Sequence, residues 1–385
     1  INLGGTTTDG TNTVKHQVNA FEAIVGGQGT DTLSLVREVA ATVALAGRTL
    51  TWNGVTIGFT AVEDLYVRLY RNSDQVRLGT ITVNGAIDFS GRNLVLEAQL
   101  ITVNAQVTAG NLALTATYLL NITQDINVLN GRGDMVILHA DQLLLRIDKG
   151  IGSPIQPVYT QVNTLEARTL GAGGIYMTEI DGLTVDDVTM AAAGVVETGK
   201  GLYTGGGGRI SLTSLAGNLT IADGGAQPMI DATGGQIAIT TESIAIQGDI
   251  RSWRTVGGTT YRGNLILQPL SAARAVDVAM GGAVRADAFI LDATELDHII
   301  NGFSDGQNSI QWLNGALITV KGSDGIMIGR ADGRHDFHIG SYTFSDSVTF
   351  RAPVLGGNFE IFGIVRTRAA DTAGNNVEVA YWGPI

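Results

Sequence analysis

Apolar and polar residues alternate in short runs between positions 78 and 147, and the runs repeat. ITVNGAIDF (81–89) returns as ITVNAQV (101–107) and more loosely as LNITQDI (120–126), with LVLEA (94–98), LALTA (112–116) and VILHA (136–140) in between. Period-two alternation is the pattern of a strand with one buried face. Its return after roughly twenty residues marks a repeat architecture, in which each unit buries its apolar face against its neighbours. Similar strands recurring at a fixed offset stack like upon like. The expected fold is therefore all-β, a right-handed parallel β-helix (β-solenoid), the hand following from the crossover preference of parallel strands. With strands about 4.8 Å apart and roughly 20 to 27 residues per turn, the chain would form an elongated rod near 75 Å long. Alternation places Ile81, Val83, Leu94, Leu96, Ile101, Val103, Leu112, Leu114 and Ile122 inward.

Three regions follow. Residues 1–77 form an N-terminal β region with Gly-Gly-Asp turns, in which INLGGTTTDG and IVGGQGTDTL put Gly4, Gly5 and Asp9 in step with Gly26, Gly27 and Asp31. Residues 78–295 carry the β-helix repeats, interrupted at 147–158 by a turn-rich joint containing Pro154 and Pro157. Further on, RISLTS followed by LTI (209–221) recurs as QIAITT followed by IAI (236–246), again one turn onto the next. Residues 296–385 are richer in aromatic side chains (Trp312, Phe337, Tyr342, Phe344, Phe350, Phe359, Phe362) and read as further turns or a junction module. Asn53-Gly54 and Asn84-Gly85 have the composition of two-residue hairpin loops.

Composition agrees with an ordered chain of strands and tight turns. Of 385 residues, 44% are apolar and 16% charged, and 52 glycines stand against 6 prolines. The net charge of −12, with lysine and arginine scattered, leaves no basic stripe for a phosphate backbone, so nucleic acid is not an expected partner. The same scatter denies a grip on an acidic sugar polymer. There is no cysteine, hence no disulfide framework or thiolate chemistry, and no apolar run approaches the ~18 residues of a membrane span. The chain opens at Ile1 without a leader pattern, which reads as a mature or excised piece.

One motif carries metal chemistry. GGQGTDTLS (26–34) fits the calcium nonapeptide pattern G-G-x-G-x-D-x-U-x, with Gly26, Gly27 and Gly29 letting backbone carbonyls curve toward a cation and Asp31 supplying a hard oxygen. A site of this kind is shared between turns, and GGTTTDG, with Asp9, offers a degenerate second half. Calcium is thus the expected cofactor, bound by Asp9, Gly26, Gly27, Gly29 and Asp31. Other candidates read as ordinary turn and strand residues. Arg132-Gly133-Asp134 spells an integrin-recognition tripeptide in a turn; His335 and His338, with Asp332 and Asp336, fall on a loop and one strand face, since positions i and i+3 of a strand point to opposite sides. Asp186, Asp187, Asp223 and Asp231 are dispersed among loops and not gathered as paired acids require. No catalytic residues are expected.

The segment IDKGIGSPIQPVYTQVNTLEARTLGAGGIYMTEIDGLTV (147–185) resembles a recurring segment of large repetitive bacterial surface proteins of the filamentous-haemagglutinin-like adhesin type, some of which carry RTX-type calcium nonapeptides. The likeness is weaker through 80–140 and 209–293 and is one of style elsewhere. It implies an extracellular, cell-surface location in bacteria and a non-catalytic structural or adhesive role in a fibre or giant adhesin, with a cell-surface glycan or another cell as partner. The open strand edges of a solenoid imply end-to-end contact in a homo-oligomer or filament. Two other classes share the fold: a tailspike-like enzyme that degrades polysaccharide, and a calcium-dependent binding module.

Overall fold

Short β-type runs bounded by glycine become short strands. The computed structural model describes residues 12–15, 24–25, 31–37, 41–52, 55–71, 76–120, 138–190, 201–256, 259–281, 285–299, 308–313, 316–321, 325–346, 348–354, 356–367 and 377–381. These are nearly all β, and most strand pairs are parallel. The chain divides into two compact units, residues 1–170 with 188–197, and residues 171–187 with 198–385.

In the first unit the strands Asp31–Arg37, Asp64–Arg71, Ile87–Val103, Val107–Leu120, Leu138–Ile147 and Val158–Thr169 pair in parallel, each with the next. Leu33, Leu65, Leu94, Leu112, Leu143 and Leu165 therefore stand in one column, and Leu35, Val67, Leu96, Leu114, Leu145 and Ala167 in a second, all buried. The stack runs through position 77 without a break. Ile101 lies over Ile81 and Val103 over Val83, and Thr42–Ala46 continues that column with Val43 and Leu45. Asn104 Nδ2 donates to Asn84 Oδ1 at 3.0 Å, so the repeated ITVN text also stacks its polar end. Eight of the residues expected inward (Ile81, Val83, Leu94, Leu96, Ile101, Val103, Leu112 and Leu114) are completely buried, and Ile122 lies outside the described residues. Removing such a side chain from water stabilises the fold by about 1.5–3 kcal/mol each.

One alignment needs correcting. LVLEA and LALTA do stack, Leu94 on Leu112 and Leu96 on Leu114, but the third member is LLLRI (143–147) and not VILHA. Ala140 instead pairs with Ala109. The sheet is packed on both sides here, the intervening residues Tyr66, Val95, Ala113 and Leu144 being buried on the opposite face with Val188 and Met190, while Leu138, His139 and Ala140 lie against Val107, Thr108 and Ala109 at the start of the neighbouring strand. Thr49–Trp52 and Val55–Thr60 are antiparallel with Trp52 opposite Val55, and Asn53-Gly54 between them lies outside the described residues. Asn84-Gly85 instead follows Thr80–Val83, which pairs in parallel with Ile87–Val103.

In the second unit three consecutive strands repeat as a set. Ile175–Glu179, Leu183–Val185 and Leu202–Thr204 pair in parallel with Ile210–Ser214, Leu219–Ile221 and Ile230–Asp231, which pair in turn with Ile237–Thr240, Ile244–Ile246 and Ile250–Arg251. The expected match of 209–221 to 236–246 is this register, with Ile210 under Ile237 and Leu219 under Ile244. The first column continues through Leu265–Gln268, Ile326–Ile328, Val348–Ala352 and Val377–Tyr381, so it too passes position 296 unbroken. Glycine clusters serve the close approach of turns. Gly208 lies against the Gly173 carbonyl, Gly235 against that of Gly208 and Gly263 against that of Gly235, and a Cβ at any of the three would overlap backbone.

Longer sequence intervals are inserted hairpins, Trp253–Val256 with Thr259–Arg262 and Asn308–Leu313 with Ala316–Lys321. Towards the C-terminus the column Phe289–Leu291, Val276–Val278, Phe337–Ile339 and Phe359–Ile361 is filled by aromatic rings, with Phe337 stacked on Phe359 at 4.6 Å and edge-on to Phe350 at 5.8 Å. The short helix Ala293–Asp297 is closed by a capping box: Asp292 accepts from the Glu295 N–H at 2.8 Å and Glu295 from the Asp292 N–H at 2.9 Å. No helix among the described residues is long and apolar enough to cross a membrane.

Candidate functional site

Parallel register aligns charged residues as well as leucines. One position after the second buried column, the first unit places Arg68, Glu97, Thr115, Arg146 and Arg168 side by side on successive strands. Arg77 joins them from the short strand Val76–Arg77, which is antiparallel to Asp64–Arg71. It donates to Asp148 at 3.0 Å and lies 3.6 Å from Glu97, while Arg68 is 4.0 Å from the other Glu97 oxygen. Arg168 pairs with the completely buried Glu166 at 2.8 Å, and Glu166 also accepts the Val188 N–H at 2.8 Å. Burial, and next the adjoining Arg168 guanidinium, pulls Arg146 below the ordinary arginine value. Its fixed, always-charged fork remains an anion ligand nonetheless.

These side chains surround a recess of about 180 Å³ lined by Arg77, Arg146, Asp148, Arg168 and Leu170. Leu170 is exposed. The scatter of arginine along the sequence therefore does not survive folding, and a concentrated group of guanidinium donors exists in a chain of net charge −12. A signal was available: Val67-Arg68, Leu145-Arg146 and Ala167-Arg168 each put arginine directly after a column residue. It becomes readable only once the columns are aligned.

Of the calcium candidates, Asp9, Gly26, Gly27 and Gly29 lie outside the described residues, and Asp31 begins a strand with its backbone opposite Asn12. Arg132-Gly133-Asp134 is also outside them. The histidines do not converge. His335 is completely buried, its Nδ1 2.8 Å from the Arg274 carbonyl and its Nε2 accepting the Arg330 N–H at 3.1 Å, which assigns the neutral Nδ1–H tautomer and leaves no ring nitrogen for a metal. His338 lies on the outer face of its strand, 3.7 Å from Asp277 and 3.3 Å from Glu360 on the strands to either side, and Asp277 is held by Arg285 at 2.8 Å. Asp332 is tied to Arg330 at 2.7 Å. Among the described residues no group of three or more metal-ligating side chains comes together.

The dispersed acids have local structural partners. Asp231 is buried, accepts the Thr233 N–H at 2.8 Å and pairs with Arg251 at 2.5 Å. Asp223 accepts the Gly225 N–H at 2.8 Å and Asp186 the Asp187 N–H at 2.7 Å. No protein-family model, curated protein or solved structure matches the chain.

Proposed function

We propose that the chain is a right-handed parallel β-helix that serves as a structural and adhesive module of an extracellular bacterial surface fibre or giant adhesin. The observation that carries this reading is the stacking of like residues in parallel register over many strands, the Leu33 to Leu165 column in one unit and the Ile175, Ile210, Ile237 column in the other. Three-strand sets that repeat as a set are what a three-sided coil requires. A stack of this kind gives length and a long lateral surface from few residue types, which suits a fibre better than a reaction chamber.

End-to-end contact between copies is the accompanying mode of assembly. Ile361, Phe362 and Ile364 form an exposed apolar group at the strands Phe359–Ile361 and Val365–Thr367. An apolar strand edge of that type favours pairing with another strand. The test is electron microscopy of the purified chain across a concentration series. Rods that lengthen with concentration are the expected result, and compact particles at every concentration would overturn the proposal.

A further inference from the structure

We propose that the second unit binds a second copy of the chain side by side, a row of arginines on one copy meeting a row of carboxylates on the other. This goes beyond the end-to-end contact and does not rest on it.

Parallel register sorts the charges of the second unit by turn. The turns after Leu183–Val185, Leu219–Ile221 and Ile244–Ile246 stack, the Ala222 N–H donating to the Val185 carbonyl at 3.0 Å and the Gln247 N–H to that of Ile221 at 2.8 Å. They carry Asp187, Asp223 and Asp249. The helix Ala293–Asp297 extends this row with Asp292, Glu295 and Asp297, since Glu295 accepts the Ile246 N–H at 3.3 Å and the His298 carbonyl accepts the Ile250 N–H at 2.9 Å. Residues 186–190, 222–229, 247–249 and 292–298 contain no lysine or arginine, and the basic side chain among them is His298, 3.1 Å from Asp249.

The third strand of each set leads to the next turns, and these are basic. Arg209 follows Leu202–Thr204, and Arg251, Arg254 and Arg262 belong to or follow Ile250–Arg251. The one carboxylate in residues 202–209, 230–236 and 250–264 is Asp231, which is buried and paired with Arg251. The hairpin that carries Arg254 and Arg262 is fixed in place: Arg254 donates to the Gly205 carbonyl at 3.0 Å, the Ser252 hydroxyl donates to that of Gly263 at 2.7 Å, and the Tyr261 backbone lies against Gly234. Arg254 lies over the exposed Tyr261 ring at 5.2 Å.

Two of these arginines lack a counter-charge. The Nε–H groups of Arg209 and Arg262, and Nη1 of Arg262, are buried without an acceptor among the described residues. Burial pulls Arg209 below the ordinary arginine value with only the Tyr176 side chain opposing it, so no carboxylate offsets its desolvation. Arginine stays charged under such conditions, and its planar fork suits an incoming carboxylate. Both residues are half-buried, which leaves part of each side chain accessible.

A second copy fits the arginine row better than a small acid does. Both rows are built on the same parallel strand sets, so they share one repeat of about 4.8 Å per strand, and rows on copies lying side by side match in spacing. Complementary rows of opposite sign fix partner and register. Because the two rows are different surfaces, the contact is heterologous and each copy keeps one row open for the next.

The experiment is sedimentation of the full chain at about 10 mM and about 1 M salt, where charges are screened beyond about 30 Å and about 3 Å. A chain of net charge −12 repels its own copies at low salt, so association that grows as salt is removed distinguishes a contact between complementary rows. The apparent mass at the lower salt is expected to be at least about twofold that at the higher, and the apolar end-to-end contact is read at the higher, where the side contact is screened. Arg262→Glu and Asp223→Lys, each with an unchanged melting curve, are expected to remove the low-salt association. Mixing the two variants is expected to restore it, because each keeps the row that the other lacks. Low-salt material no heavier than high-salt material, folded variants that associate like the wild type, or a mixture that stays monomeric would overturn the proposal. So would a chain that stays monomeric and binds poly-glutamate through Arg262, which would give the arginine row to a foreign acidic partner.

Discussion

The buried carboxylate of Glu166 accepts the backbone N–H of Val188 at 2.8 Å. Glu166 occupies the strand position that Tyr66, Val95, Ala113 and Leu144 fill on earlier strands with apolar surface, so the row ends in a charge. Val188 belongs to the apolar cluster covering that row, and the Glu166 pairing with Arg168 ties the same cluster to the arginine recess.

Removing that carboxylate strands its partners. Glu166→Ala is expected to destabilise the first unit by about 1–3 kcal/mol, since the half-buried Arg168 charge and the buried Val188 N–H both lose this acceptor. Glu166→Gln, which keeps an acceptor oxygen, should cost less. Urea denaturation of the two variants measures the difference, and equal midpoints would show that the ion pair is immaterial.

The leucine columns make a sharper test of register. Leu96 is completely buried between Val67 and Leu114. Leu96→Asp should cost several kcal/mol and unfold the neighbouring strands, because an unpaired carboxylate has no acceptable place there. Leu144→Ala should cost about 2–5 kcal/mol through the cavity it opens under Val188 and Met190. Thermal melts insensitive to both changes would contradict the packing.

Acid should weaken the second unit before its carboxylates titrate. Burial holds the His335 imidazole below its ordinary value of 6.5, with the Arg330 charge acting in the same direction and the Arg274 carbonyl opposing it. The unfolded chain therefore binds a proton at a pH where the folded chain does not, and stability is lost as pH falls below about 6.5 towards the folded value. The Asp332 carboxyl, lowered from 3.8 chiefly by its hydrogen bonds from Arg330, adds a second loss at lower pH. Denaturation midpoints measured from pH 8 to pH 4 should fall in the first window for the wild-type chain. They should not fall there for His335→Gln.

Calcium binding at Asp9, Gly26, Gly27, Gly29 and Asp31 remains a proposal drawn from the nonapeptide text. A cation that binds only the folded form raises its melting temperature by mass action. Calcium is expected to produce such a rise and Asp31→Ala to abolish it. A curve indifferent to calcium and chelator would remove the site.

Assembly through the exposed strand edge gives the fifth test. Phe362→Lys places a charge where apolar pairing is proposed, at a residue 61% exposed, so the fold should be unaffected. Sedimentation across a concentration series is expected to show association for the wild-type chain and its loss in the variant. Association that persists in the variant would place the contact elsewhere.

The amino-acid sequence by itself determined the strand content, the parallel stacking and the inward set. ITVN text returning after one turn can satisfy its alternation only by lying over its earlier copy, and a slip of one residue would turn every apolar side chain outward. Ile101 over Ile81 and Leu219 under Ile244 were legible for that reason. The Asp292–Glu295 capping box was also written locally, although the strand-like text around it hid the short helix. The tertiary structure alone decided that LLLRI and not VILHA completes the leucine column, that Glu166 is buried, and that Arg68, Arg77, Arg146 and Arg168 gather around a recess. Each depends on which residue of a distant strand lies alongside. That is set by turn lengths, which inserted segments vary, and by the apolar cover from Val188 and Met190 on the second face of the sheet, a long-range contact to which no local periodicity corresponds.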